Sequence, residues 1–181
     1  EVVLARLDGS TPEPILTETS DTWINLHNDL RFVDGLEALI WSSERDGYRH
    51  LYLFSLEGEL IRQLTQGEWA VDEIVGLDKE LGLIYFTANA QSPAEKHLYR
   101  QSLLTETPAA ISRISRRPGW HAITMDDSAR VYVDLYSSSN QPPQLSLHSA
   151  DGERIVWLVE NRIDGGHPYS VFFNAHRTPD S

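Results

Sequence analysis

The stretch DGYRHLY at residues 46–52 returns as AEKHLYR at residues 94–100, so that His50-Leu51-Tyr52 is echoed by His97-Leu98-Tyr99. Such an echo is either a chemical signature used twice or the mark of a repeated structural unit, and the spacing of the whole chain decides between them. Leu4, Leu51, Leu98 and Leu145 follow one another at a constant interval of 47 residues, in the contexts VVLARL, RHLYLF, KHLYRQSL and PQLSLHS. A second β-prone run trails each copy: PILT at 14–17, RQLT at 62–65, SRIS at 112–115 and VWLV at 156–159. A third precedes three of them: ALIWSS at 38–43, LIYFTA at 83–88 and VYVDLYSS at 131–138. Self-similarity at one fixed period is the signature of a repeat architecture.

Turn signals separate these runs. Asp34-Gly35, Asp46-Gly47, Glu57-Gly58 and Asp151-Gly152 place glycine where tight hairpins ask for a positive φ. Each full unit therefore reads as four antiparallel strands. The first covers 28–33, 38–43, 49–54 and 60–65; the second covers 71–77, 83–88, 97–103 and 110–115; the third covers 120–125, 131–136, 143–148 and 154–159. Residues 2–7 and 13–17 supply only the last two strands of an earlier unit. No long segment carries a 3.6-residue period, so helix is scarce. Four short strands repeated at this length describe a blade, and the expected fold is all-β: a partial β-propeller of about three and a half blades. A β-sandwich is the competing architecture, but it would vary its strand and loop lengths where this chain keeps one interval. The expected division is 1–20 for the end of a preceding blade, 21–66, 67–116 and 117–160 for three blades, and 161–181 for a departing segment. So few blades do not close a ring of about four to eight, so the chain reads as part of a longer polypeptide whose blade faces invite self-association or a homodimer.

Composition narrows the partners. The chain of 181 residues is 40% hydrophobic, enough to bury a core, and carries a formal charge of −12 with a pI near 4.9. No basic patch answers to a phosphate backbone, so nucleic acid is not an expected partner. With no cysteine there is no disulfide, thiolate nucleophile or cysteine-rich zinc site, a composition compatible with either redox compartment. No apolar run approaches the roughly 18 residues of a membrane span. Glu1 opens straight into Val2-Val3-Leu4, which reads as the middle of a strand and leaves room for a signal peptide further upstream.

Seven ordered stretches carry a family resemblance: WINLHNDLRF (23–32), SSERDGYRHLYLF (42–54), IRQLTQGEWAV (61–71), FTANAQSPAEKHLYR (86–100), GWHAITMD (119–126), YVDLYSSSNQPPQLSLHS (132–149) and LVEN (158–161). Together they resemble the carboxy-terminal half of the amino-terminal propeller of the dipeptidyl peptidase IV family of serine exopeptidases. ENRIDGGHPYSVFFNAHRTPD at 160–180 resembles the segment leading toward that family's α/β-hydrolase domain. The resemblance implies a parent that removes amino-terminal dipeptides of Xaa-Pro or Xaa-Ala type with a Ser-Asp-His triad, in a periplasmic or secreted setting. The partners it implies are the parent's own hydrolase domain and a peptide substrate, with no cofactor. It also implies that the stretch following Trp23 contributes to the extended substrate pocket, which nominates Trp23, His27 and Asn28 as substrate-binding residues. The spacing to the following turn departs from the mammalian pattern, where an aromatic residue and an arginine stand.

No catalytic residue is expected within these 181 residues. There is no Gly-x-Ser-x-Gly elbow, and Ser170 in HPYSVFF has neither flanking glycine. The family's paired glutamates, which hold the substrate's amino terminus, lie on an earlier blade, and Glu44, Glu57, Glu68 and Glu73 are scattered over turns and strand ends. His27 with Asp29, and His50 with Asp46, set imidazole near carboxylate without a metal-binding motif, so no metal site is expected. Asp126-Asp127 and Glu44/Asp46 fit turns. Trp23, Trp69 and Trp120 open the innermost strand of each blade and suggest packing between blades, with sugar stacking as the other use of an indole. Two further functional classes share the period: a protein-interaction propeller with no enzymatic partner domain, and a carbohydrate-active propeller using paired carboxylates. The His-Leu-Tyr echo itself reads as a period marker, its leucine turned inward and its histidine to the opposite face of the strand.

Overall fold

A computed structural model describes residues 2–5, 11–21, 23–105, 110–168 and 170–171. Strands β1 (Val2–Leu4) and β2 (Glu13–Leu16) form an antiparallel pair. Three four-stranded antiparallel sheets follow, each a simple meander. The first contains β3 (Arg31–Val33), β4 (Ala38–Ser43), β5 (His50–Ser55) and β6 (Leu60–Gln63). The second contains β7 (Val71–Asp78), β8 (Leu83–Ala88), β9 (His97–Ser102) and β10 (Ser112–Arg113). The third contains β11 (Trp120–Met125), β12 (Val131–Ser138), β13 (Gln141–Ser149) and β14 (Arg154–Val159).

The first two four-stranded sheets bury both faces, which explains why their strands read as apolar runs rather than as clean alternations. Leu39, Tyr52 and Phe54 of the first sheet pack back onto Leu16 of the β1–β2 pair. Ile40, Leu51 and Leu53, on the opposite face, pack forward against Ile84, Phe86 and Tyr99 of the second sheet. Tyr85 and Leu98 then face Ile123 and Tyr132 of the third. Leu51 and Leu98 are both 0% exposed, each pressed beneath the following sheet. Leu145 occupies the same place in the third sheet, where no further sheet follows among the described residues, and is only half-buried. Around it, Leu135 (45% exposed) and Val159 (52% exposed) pair with it in register and leave an apolar face open. The side chain of Leu4, the first member of the series, lies outside the described residues.

The histidine of the echo has a structural task. His50 and His97 are fully buried, and each is tied to a hydroxyl in the trailing run: Nδ1 of His50 lies 3.0 Å from Thr65 Oγ1, and Nδ1 of His97 lies 3.0 Å from Ser115 Oγ. The same hydroxyl oxygens accept the backbone N–H of Leu51 (2.9 Å) and Leu98 (3.0 Å). Nε2 of His50 faces the Gly67 carbonyl at 3.0 Å, and Nε2 of His97 faces a Glu95 carboxylate oxygen at 2.8 Å. A carbonyl or carboxylate accepts only, so Nε2 carries the hydrogen and Nδ1 receives the hydroxyl proton. This latch also corrects two strand lengths. The runs expected to continue to residues 65 and 115 end as ladders at Gln63 and Arg113, because a side-chain oxygen takes the N–H that a strand carbonyl would have taken. In the third sheet Gln144 replaces the histidine, and its amide donates to the Glu160 carbonyl.

Two other expectations are corrected. The strand expected over 28–33 is confined to Arg31–Val33, since Asp29 is drawn out of the ladder to bond the neighbouring sheet. In the Asp34-Gly35 turn the positive φ falls on Glu37 (46°), which ends a short 3-10 turn, whereas Gly47 takes the expected positive φ of 101°. Residues 1, 6–10, 22, 106–109, 169 and 172–181, including most of the end of the departing segment, lie outside the described residues.

Replacing Ser115 with alanine strands the buried Leu98 N–H and the His97 Nδ1 together. We expect a loss of about 1–3 kcal/mol in urea unfolding. Glu160→Ala, at the matching position of the sheet without a latch, is expected to cost less than about 0.5 kcal/mol, as an ordinary surface change does.

Candidate functional site

The segment between β2 and β3 builds a cleft because one buried carboxylate holds its far end. Asp29, only 4% exposed, accepts Ser42 Oγ at 3.0 Å and the Ile74 N–H of the second sheet at 3.0 Å. Arg31 reinforces the same junction by donating to the Ile74 carbonyl at 3.0 Å. Arg49 donates to the Asp72 carbonyl at 2.7 Å and lies 3.9 Å from Asp29. Fastened there, residues 23–28 arch over the first sheet and leave a hollow of about 560 Å³ against the 43–49 hairpin.

Trp23 and His27 both line this hollow, together with Asn25, Glu44, Arg45 and Arg49; Asn28 is not in its lining. The His27 ring packs on Trp41 with centroids 4.4 Å apart, and its Nδ1 accepts the Asp29 N–H at 3.3 Å. Burial, only partly offset by Asp29, lowers its pKa from the usual histidine value. Asn28 is exposed, and its carbonyl accepts Arg31 Nη1 at 3.0 Å. Trp23 is 74% exposed, which corrects the expectation that it packs between blades. The next tryptophan of that series, Trp69, does pack, edge-on to His50 at 4.9 Å and stacked on Phe86 at 6.5 Å. Val3 stands 47 residues before His50, so Trp23 finds no ring in the corresponding place.

Instead the Trp23 Nε1–H donates to Asn25 Oδ1 at 3.1 Å, and Asn25 Nδ2 donates to the Glu44 carboxylate at 2.9 and 3.0 Å. Arg45 Nε donates to Ser43 Oγ at 3.0 Å, its guanidinium lies over Tyr52 at 4.8 Å, and it faces Glu18 at 3.6 Å. In the sequence alone Glu44 reads as a turn residue, and Asn25, Arg45 and Arg49 carry no signal of their own. The stretch that could have singled them out is the SSERDGYRH hairpin, whose charges stand opposite the loop only once the sheet is folded. A smaller hollow of about 200 Å³ adjoins, sharing Glu44 and Arg49, where Lys96 lies 4.9 Å over the Trp120 ring and 2.9 Å from Asp72.

Other polar clusters serve the fold. Ser146 Oγ lies 2.8 Å from His148 Nε2, but the serine is buried within the sheet and His148 Nδ1 faces the Gly152 carbonyl at 3.3 Å. His121 Nδ1 meets the buried Asp134 at 2.8 Å while Nε2 meets the Arg117 carbonyl at 2.9 Å. Both nitrogens of His50 are engaged in the latch, and Asp46 accepts Gln63 Nε2 at 2.6 Å. Asp126 caps a turn through the Arg130 and Val131 N–H groups, and the Ser128 hydroxyl leads in holding its carboxyl down to about 2.

Four-stranded antiparallel sheets repeated at a fixed interval and stacked face to face define an arc of a β-propeller. Residues 1–143 match the family described as the dipeptidyl peptidase IV N-terminal region, and the chain belongs to that family. It is 28% identical over 181 residues to dipeptidyl peptidase 4 of Arthroderma otae, an alignment covering 91% of this chain and 23% of that protein. It is 33% identical over 117 residues to a probable dipeptidyl peptidase 4 of Emericella nidulans, covering 59% of this chain and 15% of the relative. The crystal structure of Porphyromonas gingivalis dipeptidyl peptidase 4 shares the fold with a TM-score of 0.67 at 23% identity, over 80% of this chain and 19% of that one. The chain thus spans less than a quarter of the length of these relatives.

Three histidines favour a loss of stability just on the acid side of neutrality. Burial is the largest influence on His27, His97 and His148 and lowers the pKa of each. The unfolded chain protonates them near the ordinary value of about 6.5, so it takes up protons before the folded chain does. Their contribution to stability is complete above that value and is lost as pH falls through the lower folded values. Glu73 works the other way, because burial raises its carboxyl. Urea midpoints should therefore decline from about pH 7.5 to about 5.5, and His97→Gln, which borrows the residue found at 144, should flatten the decline.

Proposed function

We propose that this chain is a non-catalytic part of the propeller of a serine-type dipeptidyl peptidase whose parent removes Xaa-Pro or Xaa-Ala dipeptides from peptide amino termini. In that reading the propeller gates access to the active centre, docks the parent's hydrolase domain and, at the Trp23–His27 cleft, contacts the peptide. Family membership supports the parent's activity. The observation that carries the local role is the junction at Asp29, which holds Trp23 and His27 on one solvent-open hollow. A periplasmic or secreted location belongs to the same reading.

The isolated chain should not hydrolyse an Xaa-Pro chromogenic substrate; turnover blocked by a serine-directed reagent would overturn the assignment of catalysis to another domain. In the parent enzyme, Trp23→Ala or His27→Ala should raise KM for peptides longer than a dipeptide by roughly two- to tenfold with kcat little changed, as lost uniform binding does. An unchanged KM removes these residues from substrate contact. The open face around Leu145 should drive the isolated chain to self-associate, which light scattering reads as a mass that rises with concentration. A monomeric mass at every concentration contradicts it.

A further inference from the structure

Among the described residues that line the Trp23 cleft, the charge of Glu44 is left unmatched. Glu18 faces Arg45 at 3.6 Å, and Asp29 has Arg49 at 3.9 Å. Burial keeps His27 below its usual range, so it adds no charge at neutral pH. Among the described residues Glu44 meets the neutral amide of Asn25 and has no ion pair. That amide is oriented from both sides, since its oxygen accepts the Trp23 indole N–H at 3.1 Å while its nitrogen donates to Glu44. One side chain therefore links an exposed indole and an uncompensated carboxylate on the same cleft.

The molecule contains the completed form of this arrangement in the adjoining hollow. There Lys96 Nζ stands 4.9 Å over the Trp120 ring and 2.9 Å from the Asp72 carboxylate. Indole, carboxylate and cation form a closed set, because the ring quadrupole and the carboxylate attract the same charge. At Trp23 the indole and the carboxylate recur without the cation. An anionic ligand is disfavoured, as both guanidiniums are committed: Arg45 to Ser43, Tyr52 and Glu18, and Arg49 to the Asp72 carbonyl and Asp29.

We infer that the Trp23 cleft takes a basic side chain of the bound peptide, of lysine or arginine type, with Glu44 as counter-charge and the Trp23 indole as platform. The inference rests on the reading of this cleft as a peptide contact and adds the chemistry that the contact selects. The net charge of −12 assists the approach of such a ligand.

Two peptides, acetyl-Ala-Arg-Ala-amide and acetyl-Ala-citrulline-Ala-amide, separate the basic side chain from terminal charges and from shape. Titrated into the 181-residue chain and followed on the indole N–H resonance of Trp23, assigned with Trp23→Phe, the arginine peptide should bind roughly five- to tenfold more tightly at low salt. Added salt should shrink that ratio. Glu44→Gln, an exposed change whose folding the remaining resonances report, should bring the ratio to about one. Trp23→Ala, followed on the side-chain amide resonances of Asn25, should weaken both peptides. Equal affinity of the unaltered chain for the two peptides overturns the basic preference and leaves the peptide contact standing. A preference that survives Glu44→Gln also overturns it. If neither peptide moves the Trp23 resonance, the preference and the contact fall together.

Discussion

Each central sheet must bury two faces, and the contact of one sheet with the next is what every other feature depends on. Leu51 and Leu98 lie at the centre of successive contacts with no exposed surface, and burying a leucine fully is worth about 1.5–3 kcal/mol. A four-stranded sheet with one covered face would leave a row of apolar side chains in water, as the third sheet does around Leu145 among the described residues. Repetition is thus the means by which each unit stabilises its neighbour. The histidine latches act within that frame. They close the outer edge of a blade with side-chain hydroxyls, so that His50 and His97 are satisfied inside a dry interior where an unpartnered ring nitrogen would be costly.

The cleft arises where the repeat is interrupted. Regular pairing would carry the innermost strand of the first sheet back through residue 28, but Asp29 bonds Ser42 and the Ile74 N–H instead. One carboxylate thereby does two things: it pins the first sheet to the second and frees residues 23–28 from the ladder. The freed loop carries indole, imidazole and amide groups over a charged hairpin. A site made this way has rigid walls and a loop roof, a common arrangement for recognition on a repeated scaffold.

Much of the architecture was legible from one interval. Most strand spans in the three sheets follow from the 47-residue phase and the Gly-containing turns, because hydrophobic runs bounded by turns are local features. Three strand ends depart for one cause, side chains competing with backbone for hydrogen bonds: Thr65 and Ser115 end ladders early, and Asp29 removes a strand's beginning. Nothing local announces which hydroxyl or carboxylate will win such a competition. The site was less legible. The family resemblance led to Trp23, His27 and Asn28, yet Glu44, Arg45 and Arg49 looked like hairpin punctuation.

By itself the sequence determined the repeat, the all-β class, the strand order and the absence of a nucleophile elbow, since each depends on residue type and spacing along the chain. Only the tertiary structure decided that Trp23 stands exposed while Trp69 is packed, that Asn25 bridges Trp23 to Glu44, and that Arg45 and Arg49 are already matched. Those outcomes depend on which element lies opposite each residue, and residues such as Asn25 and Glu44, 19 positions apart, meet only once the chain has folded.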